Sequence, residues 1–197
     1  MSSRKSRSGA LKSERTRQRI VSAAAAAYRE RGIRGTGVRE IMKRAGLTQG
    51  GFYFHFPDKD SLFREASREA ALSSLSEYLA SADKVPPEKK LAAFIEAYLS
   101  PQHRDHPETG CMVSALGAEV SRGDPKQRAV FNAAVGILLD RVGAYVPAPT
   151  VAERRQKAGL LMAAMAGVLM VSRILDDRTA SDRLLANARR FFTASFG

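Results

Sequence analysis

An all-α fold is what this sequence predicts, on three observations. Apolar residues recur at helical spacing through most of the chain, alternating β-branched runs are missing, and Ala and Leu abound while Trp is absent. With 44% hydrophobic residues over 197 positions, the chain can bury a core for one domain or two modest ones. A formal charge of +12 points to a polyanionic partner, either nucleic acid or an anionic surface. The charge is uneven: residues 1–65 hold 15 Lys/Arg against 6 Asp/Glu, whereas residues 66–197 hold 17 against 14. The N-terminal third is therefore the expected anion-binding part.

Residues 1–12, rich in Ser, Arg and Lys, read as a disordered basic arm that follows phosphates, enters a minor groove or only solubilises the chain. From about Ser13, Ile20, Ala24, Ala27 and Tyr28 share one face of a first helix that Gly32 stops. Thr36 is the expected cap of a short second helix, in which Val38, Ile41, Met42 and Ala45 fall at i, i+3, i+4 and i+7. Gly46 ends it, Leu47 packs between helices, and Thr48 caps a third helix to about Phe54. Two short helices joined by a short turn containing Gly make a helix-turn-helix.

Pro57 ends that unit, and Asp58 is suited to cap a fourth helix from Lys59 to about Ala82. Its stripe is Leu62, Ala66, Glu69, Leu72, Leu75 and Leu79. Pro86 and Pro87 open a helix ending near Ser100, residues 101–110 read as a loop, and further helices are expected at about 110–122, 125–146, 150–176 and 179–195. The predicted organisation is an arm (1–12), a helix-turn-helix domain (13–60) and a helical regulatory and dimerisation domain (61–197).

The third predicted helix has unusual chemistry for a buried element: Thr48-Gln49-Gly50-Gly51-Phe52-Tyr53-Phe54-His55-Phe56. Each interior glycine costs about 1 kcal/mol relative to Ala. Close approach of the backbone to a partner such as a major groove compensates for that. Thr48 and Gln49 can reach base edges, Gln being suited to adenine. Phe52 and Phe56 suit packing. Tyr53 and His55 offer polar tips to phosphates, with core packing and an internal hydrogen bond as the alternatives. Lys59, in the first turn of the next helix, suits a phosphate or plain solvent.

The run from Gly35 through Thr36-Gly37-Val38-Arg39-Glu40-Ile41, Ala45-Gly46-Leu47-Thr48-Gln49-Gly50-Gly51-Phe52-Tyr53 and His55-Phe56-Pro57-Asp58-Lys59 resembles the head of the TetR (tetracycline-repressor) family. The similarity extends from the first helix to Leu62. It implies a three-helix DNA-binding head, a larger helical ligand-binding body and a homodimer on double-stranded operator DNA. It also implies a repressor released by a small molecule or a thiol-reactive signal. By position it implies DNA contacts from Thr36, Thr48, Gln49, Gly50, Tyr53, His55 and Lys59, with Arg44 joining them as a basic candidate. Gly37 departs from the pattern where a second hydroxyl residue is common, as do Pro57 and Met42 in detail.

The remainder offers no Ser/His/Asp pattern, Gly-rich phosphate loop or cysteine pair, so neither an enzyme nor a cofactor is expected. Val135, Leu138, Leu139 and Val142, then Leu161, Met165, Val168, Leu169 and Val171, with Ala163, Ala164, Ala166 and Gly167 beside them, suit a helix-pair dimer seam or an internal core. Phe94, Tyr98, Cys111, Met112, Leu116, Met162 and Met165 are candidate lining for an adaptable apolar pocket, with ordinary core as the alternative. Cys111, after Gly110 at a predicted helix start, is either a redox or electrophile sensor or an inert packed thiol. Gly110 to Glu119 also resembles a segment of TetR branches that include thiol-sensing repressors. Arg173 is the basic partner the chain offers there, able to lower a thiol pKa but not to act as a nucleophile.

His103, Asp105, His106 and Cys111 have metal-ligand chemistry but loose spacing, and no metal is expected. The apolar run Ala158 to Val171 falls short of the roughly 18–20 residues that span a bilayer, so no membrane partner is expected. A single cysteine and no secretory signal point to the cytoplasm. The competing class is an architectural DNA-binding protein without an effector.

Overall fold

Two glycines with positive φ, Gly32 (80°) and Gly46 (68°), set the geometry of the N-terminal third. The computed structural model describes the backbone of residues 2–197, and their side chains apart from those of residues 2–8, 74, 75 and 77. Helix α1 (Ser2–Arg31) stops at Gly32, whose left-handed conformation favours glycine and where a Cβ would stand 2.7 Å from Glu119 Oε2 and displace that carboxylate. Helix α2 (Val38–Arg44) ends in a Schellman motif: Gly46 N–H donates to the Lys43 carbonyl at 3.0 Å and Leu47 N–H to the Met42 carbonyl at 2.8 Å. A 3₁₀ helix (Gln49–Phe54) then stands where an α-helix was expected, the adjacent glycines having weakened the α alternative.

Helix α3 (Lys59–Ala82) is capped by Asp58, whose carboxylate accepts Ser61 N–H at 2.6 Å. After a 3₁₀ turn at Pro87–Lys89 come α4 (Lys90–Tyr98), α5 (Pro101–Asp105), α6 (Met112–Ser121), α7 (Pro125–Gly143), α8 (Val151–Ile174) and α9 (Arg178–Phe196). Ser100, Asp124, Thr150 and Asp177 each accept a backbone N–H at the start of α5, α7, α8 and α9.

Further expectations change. Helix α1 continues outward to Ser2, correcting the disordered arm: no proline interrupts residues 2–12, and the exposed positions 9–15 extend a helix already seeded by the packed part. Met1 and the side chain of Leu75 lie outside the described residues. The expected loop 101–110 contains α5, because Ser100 and Pro101 form a cap and a first helical position.

Most residues expected at a dimer seam belong to the chain's own core. Leu138, Val142, Leu161, Met165 and Leu169 are buried, because α7, α8 and α9 pack side by side and take up those faces. The outward stripe of α8 keeps Ala163, Ala164 and Val171 of the expected set and adds Leu160, Met170 and Ile174, joined by Phe191 of α9. Helix α8 is also long and apolar enough to cross a membrane by length and composition, a property the run Ala158 to Val171 understated. Its buried face is explained by the core.

One apolar cluster joins Ile20, Tyr28, Ile41, Phe52 and Phe63 of the N-terminal unit to Met112, Leu116 and Phe131 of α6 and α7. Each such side chain contributes about 1.5–3 kcal/mol on burial, so the two parts are held together by packing. A polar clasp adds to it: the Glu119 carboxylate on α6 accepts the N–H groups of Ile33 and Arg34, both at 2.8 Å. A second cluster, including Phe94, Tyr98, Leu161, Met165 and Leu185, fills the far end.

Candidate nucleic-acid interface

The 3₁₀ helix is held by one edge. Phe52 and Phe56 are buried and stacked with ring centroids 5.8 Å apart. Arg17 of α1 lies over Phe56, 4.1 Å from its centroid, and donates to the His55 carbonyl and to Glu65 of α3. The opposite edge is bare: Thr48, Gln49 and Gly50 are exposed, Tyr53 is 73% exposed and Phe54 is 89% exposed. A Cβ at Gly50 would meet nothing within 4 Å, and one at Gly51 would make only an ordinary contact with Met42. Neither glycine has positive φ. The fold thus gives no internal reason for Gly50.

The other predicted contacts divide. Arg44 sits near the edge, its guanidinium 2.5 Å from Glu30, and it helps line a basic groove with Arg15 and Arg19. The Glu30 carboxyl is held below the usual range chiefly by its hydrogen bond to Arg44. His55 is half-buried, its backbone engaged by Phe52 and Arg17. Thr36 is corrected: it is fully buried, with Oγ1 donating to the Gly32 carbonyl at 2.7 Å, and Gly37 occupies the cap position of α2. Lys59 is engaged within the fold as well: Nζ of the half-buried side chain donates to the Ile33 carbonyl at 2.8 Å and lies 6.0 Å from the Tyr28 ring centroid. Both close the α1–α2 turn from inside.

Phe54 and Arg17 escaped the sequence reading. Assigning Phe52 and Phe56 inward leaves Phe54 facing out, a signal that was present. The bonds from Arg17 to His55 and Glu65 join residues distant in sequence, and no local pattern announces them.

The residues expected to line a pocket in the body are packed into the two apolar clusters. Phe94, Tyr98, Met162 and Met165 are buried in the distal cluster, Met112 and Leu116 in the proximal one, and none lines a described cavity. Interdigitation from α4, α6, α8 and α9 takes up the space their apolar character suggested for a ligand.

Cys111 is buried at the N-cap of α6, and its N–H donates to His103 Nε2 at 2.9 Å. His103 Nδ1 lies 2.6 Å from the Tyr98 carbonyl, so both ring nitrogens are used and the neutral tautomer is fixed. Burial first, then the charges of Arg173 and Arg29, lower the His103 pKa to about 4. Arg173 is brought to this turn as expected, donating to the His103 carbonyl at 2.8 Å and the Arg104 carbonyl at 3.0 Å. His103, Asp105, His106 and Cys111 do not converge on a metal: Asp105 pairs with Arg104 and Arg178, and His106 with Glu108.

Residues 20–66 match the family described as bacterial regulatory proteins, tetR family. The HTH-type transcriptional regulator AcrR of Shigella flexneri is 42% identical over 52 residues, covering 26% of this chain and 24% of that protein. The HTH-type transcriptional repressor KstR2 of Rhodococcus jostii is 40% identical over 52 residues, covering 26% of each. The chain thus matches about a quarter of the length of these curated relatives. In the fold, a TetR transcriptional regulator from Chloroflexus aurantiacus superposes with a TM-score of 0.74 at 23% identity, over 94% of this chain and 98% of the other. The reduced form of E. coli NemR gives 0.72 at 22% identity, over 92% and 97%.

Proposed function

From a tetR-family head at residues 20–66 on a body with the fold of TetR regulators, we propose that this chain is a dimeric DNA-binding transcriptional repressor. The observation that carries the reading is the bare edge Thr48–Gln49–Gly50 with Tyr53, which is exposed, polar and free of internal steric demands at Gly50. A backbone that closes on a groove needs that space, Gln49 has the amide fork that suits adenine, and Tyr53 reaches a phosphate or sugar. Arg44 and the neighbouring groove arginines supply the sequence-independent attraction.

Two-fold symmetry would place two such edges about 34 Å apart, one turn of duplex. The outward stripe of α8 with Phe191 of α9 supports a self-complementary seam: it is apolar, and Gly159 and Gly167 leave room for close helix approach. The curated relatives are regulators, and nothing in the site calls for turnover or a cofactor. A cytoplasmic regulator fits that role. Release would follow an effector that prefers a body conformation with the heads out of register. The clasp from Glu119 to Ile33 and Arg34 ties α6 to the head, and Cys111 is the N-cap of α6, so a thiol-reactive signal there has a direct mechanical route to the DNA-binding part.

Footprinting on DNA flanking the chain's own gene tests the reading, repeated with oxidant and with apolar ligands. The expected result is a protected palindrome with half-sites one turn apart, lost under one of the two treatments. Uniform weak protection with steep salt dependence would favour an architectural role and overturn it.

A further inference from the structure

We propose that the cleft between α1 and α3 binds a compact polar acid that also carries a hydrogen-bond donor, the chemistry of a hydroxy acid or an amino acid. The cleft encloses about 380 Å³, within the range of small-molecule sites, and is walled by Ser22 and Arg29 of α1, Glu69, Ser73 and Ser76 of α3, and Thr109 before α6. Four hydroxyls, one cation and one carboxylate make it a polar site, distinct from the filled apolar body.

Arg29 carries the argument. Among the described residues three arginines are deeply buried or nearly so, and two are satisfied. Arg104 has Asp105 and Asp182, at 2.8 and 2.6 Å, and Arg173 bonds through all three nitrogens to two carbonyls and Ser114. Arg29 is 8% exposed, donates from Nε to the Glu108 carbonyl at 2.8 Å, and leaves Nη1 with no partner among the described residues. No described carboxylate pairs with it. A buried guanidinium that is neither paired nor fully bonded is costly, and an entering oxyanion removes that cost. Burial, the largest effect, lowers the pKa of Arg29, against the smaller opposing effect of the Glu69 and Glu108 carboxylates.

Glu69 supplies the second half of the recognition. Its oxygens accept from Gln18 at 3.0 Å and from Ser22 at 3.2 Å, and a carboxylate oxygen takes more than one donor. An acid without a donor leaves Glu69 facing like charge, whereas a hydroxyl or ammonium on the ligand bridges it. Nη1 is covered from solvent, so the oxyanion meets it once the guanidinium turns toward the cleft that Arg29 lines. Ligand would thereby join α1 of the head to Thr109 and the turn leading into α6.

The consequence for DNA rests on the proposed regulatory function, but binding itself is measured on the free full-length protein. L-malate, L-serine and succinate are titrated calorimetrically at matched ionic strength. Malate or serine is expected to bind saturably and more tightly than succinate, with Arg29→Gln weakening it about tenfold or more, the loss of a charge-assisted hydrogen bond. Glu69→Gln is expected to narrow the gap between malate and succinate. If Arg29→Gln does not fold, Ser73→Ala with Thr109→Val, both at exposed rim positions, is expected to weaken binding several-fold. Absence of saturable binding by the wild type, or binding unchanged in these variants, overturns the site, and equal affinity for malate and succinate overturns the role of Glu69. Binding that leaves DNA affinity untouched supports the site and counts against the regulatory reading alone.

Discussion

Gly50 and Gly110 stand in two regions built from the same residue types, and they differ in where their explanation lies. A Cβ at Gly110 would be 2.7 Å from the His103 ring and 3.4 Å from Arg173, so the fold itself demands glycine there. A Cβ at Gly50 would meet nothing within 4 Å. The aromatics divide likewise: Tyr98 and Phe94 are enclosed near Gly110, whereas Tyr53 and Phe54 beside Gly50 face solvent. One region supplies its own partners, and the other has its partners outside the chain.

The sharpest way to break this contrast is Gly50→Leu. With open space around it, the substitution is expected to leave the thermal midpoint within a degree or so of wild type. It is expected to cut operator affinity about 100-fold or more, since each of two half-sites loses contacts worth about 1–3 kcal/mol. Anisotropy titration beside a melting curve reads both quantities. A lower midpoint with normal DNA affinity would make Gly50 a folding residue like Gly110.

The enclosed region makes the next prediction, through pH. His103 is held neutral, its pKa lowered from 6.5 to about 4 by burial, so between those values the unfolded chain binds a proton that the folded chain does not. Stability therefore rises with pH across that window, is fully present above about 6.5, and falls by up to about 3 kcal/mol as pH drops to about 4. Urea titrations of wild type and His103→Asn at several pH values check it. The variant is expected to lose this component of the slope whatever its overall stability, and an unchanged slope would remove His103 as its source.

The same contrast governs what the sequence made legible. The helices, the cap at Asp58, and the stop signals at Gly32 and Gly46 were readable because each depends on neighbours within a turn. The outward Thr48–Gln49–Gly50 edge was readable for a related reason: a glycine pair in a helical run is a local oddity. What escaped was every choice between burial and exposure decided across helices. Leu161 and Met165 face inward and Leu160 outward on one apolar helix, and only the packing of α7 and α9 determines which. Thr36, read as a cap, is enclosed because Gly32 turns the chain back beneath it.

Thr36 gives a smaller test on the border between the two regions. Thr36→Val keeps the shape but removes the donor to the Gly32 carbonyl, and is expected to cost about 1–2 kcal/mol in stability. Operator affinity of the folded protein should be nearly unchanged. A fall in affinity at constant stability would return Thr36 to the DNA face.

Lys59 carries the smallest expected effect and the finest discrimination, because charge alone makes it look like a phosphate ligand. Its ammonium donates to the Ile33 carbonyl at 2.8 Å, next to the backbone amides held by Glu119, so it neutralises the end of α1 and completes the clasp between head and body. A phosphate contact would appear in the salt dependence of DNA binding, with a slope of about −0.9 per phosphate neutralised. Lys59→Gln in a dimer would then flatten that slope by about two units. If the side chain works inside the fold, the slope stays that of wild type, and the change appears as a modest loss of stability of about 1 kcal/mol. The slope is the quantity to measure, since a mere drop in affinity follows from either role. An unchanged slope keeps Lys59 with the residues that hold the head in place, and leaves base and phosphate contact to the bare edge from Thr48 to Phe54 and the arginines of the adjoining groove.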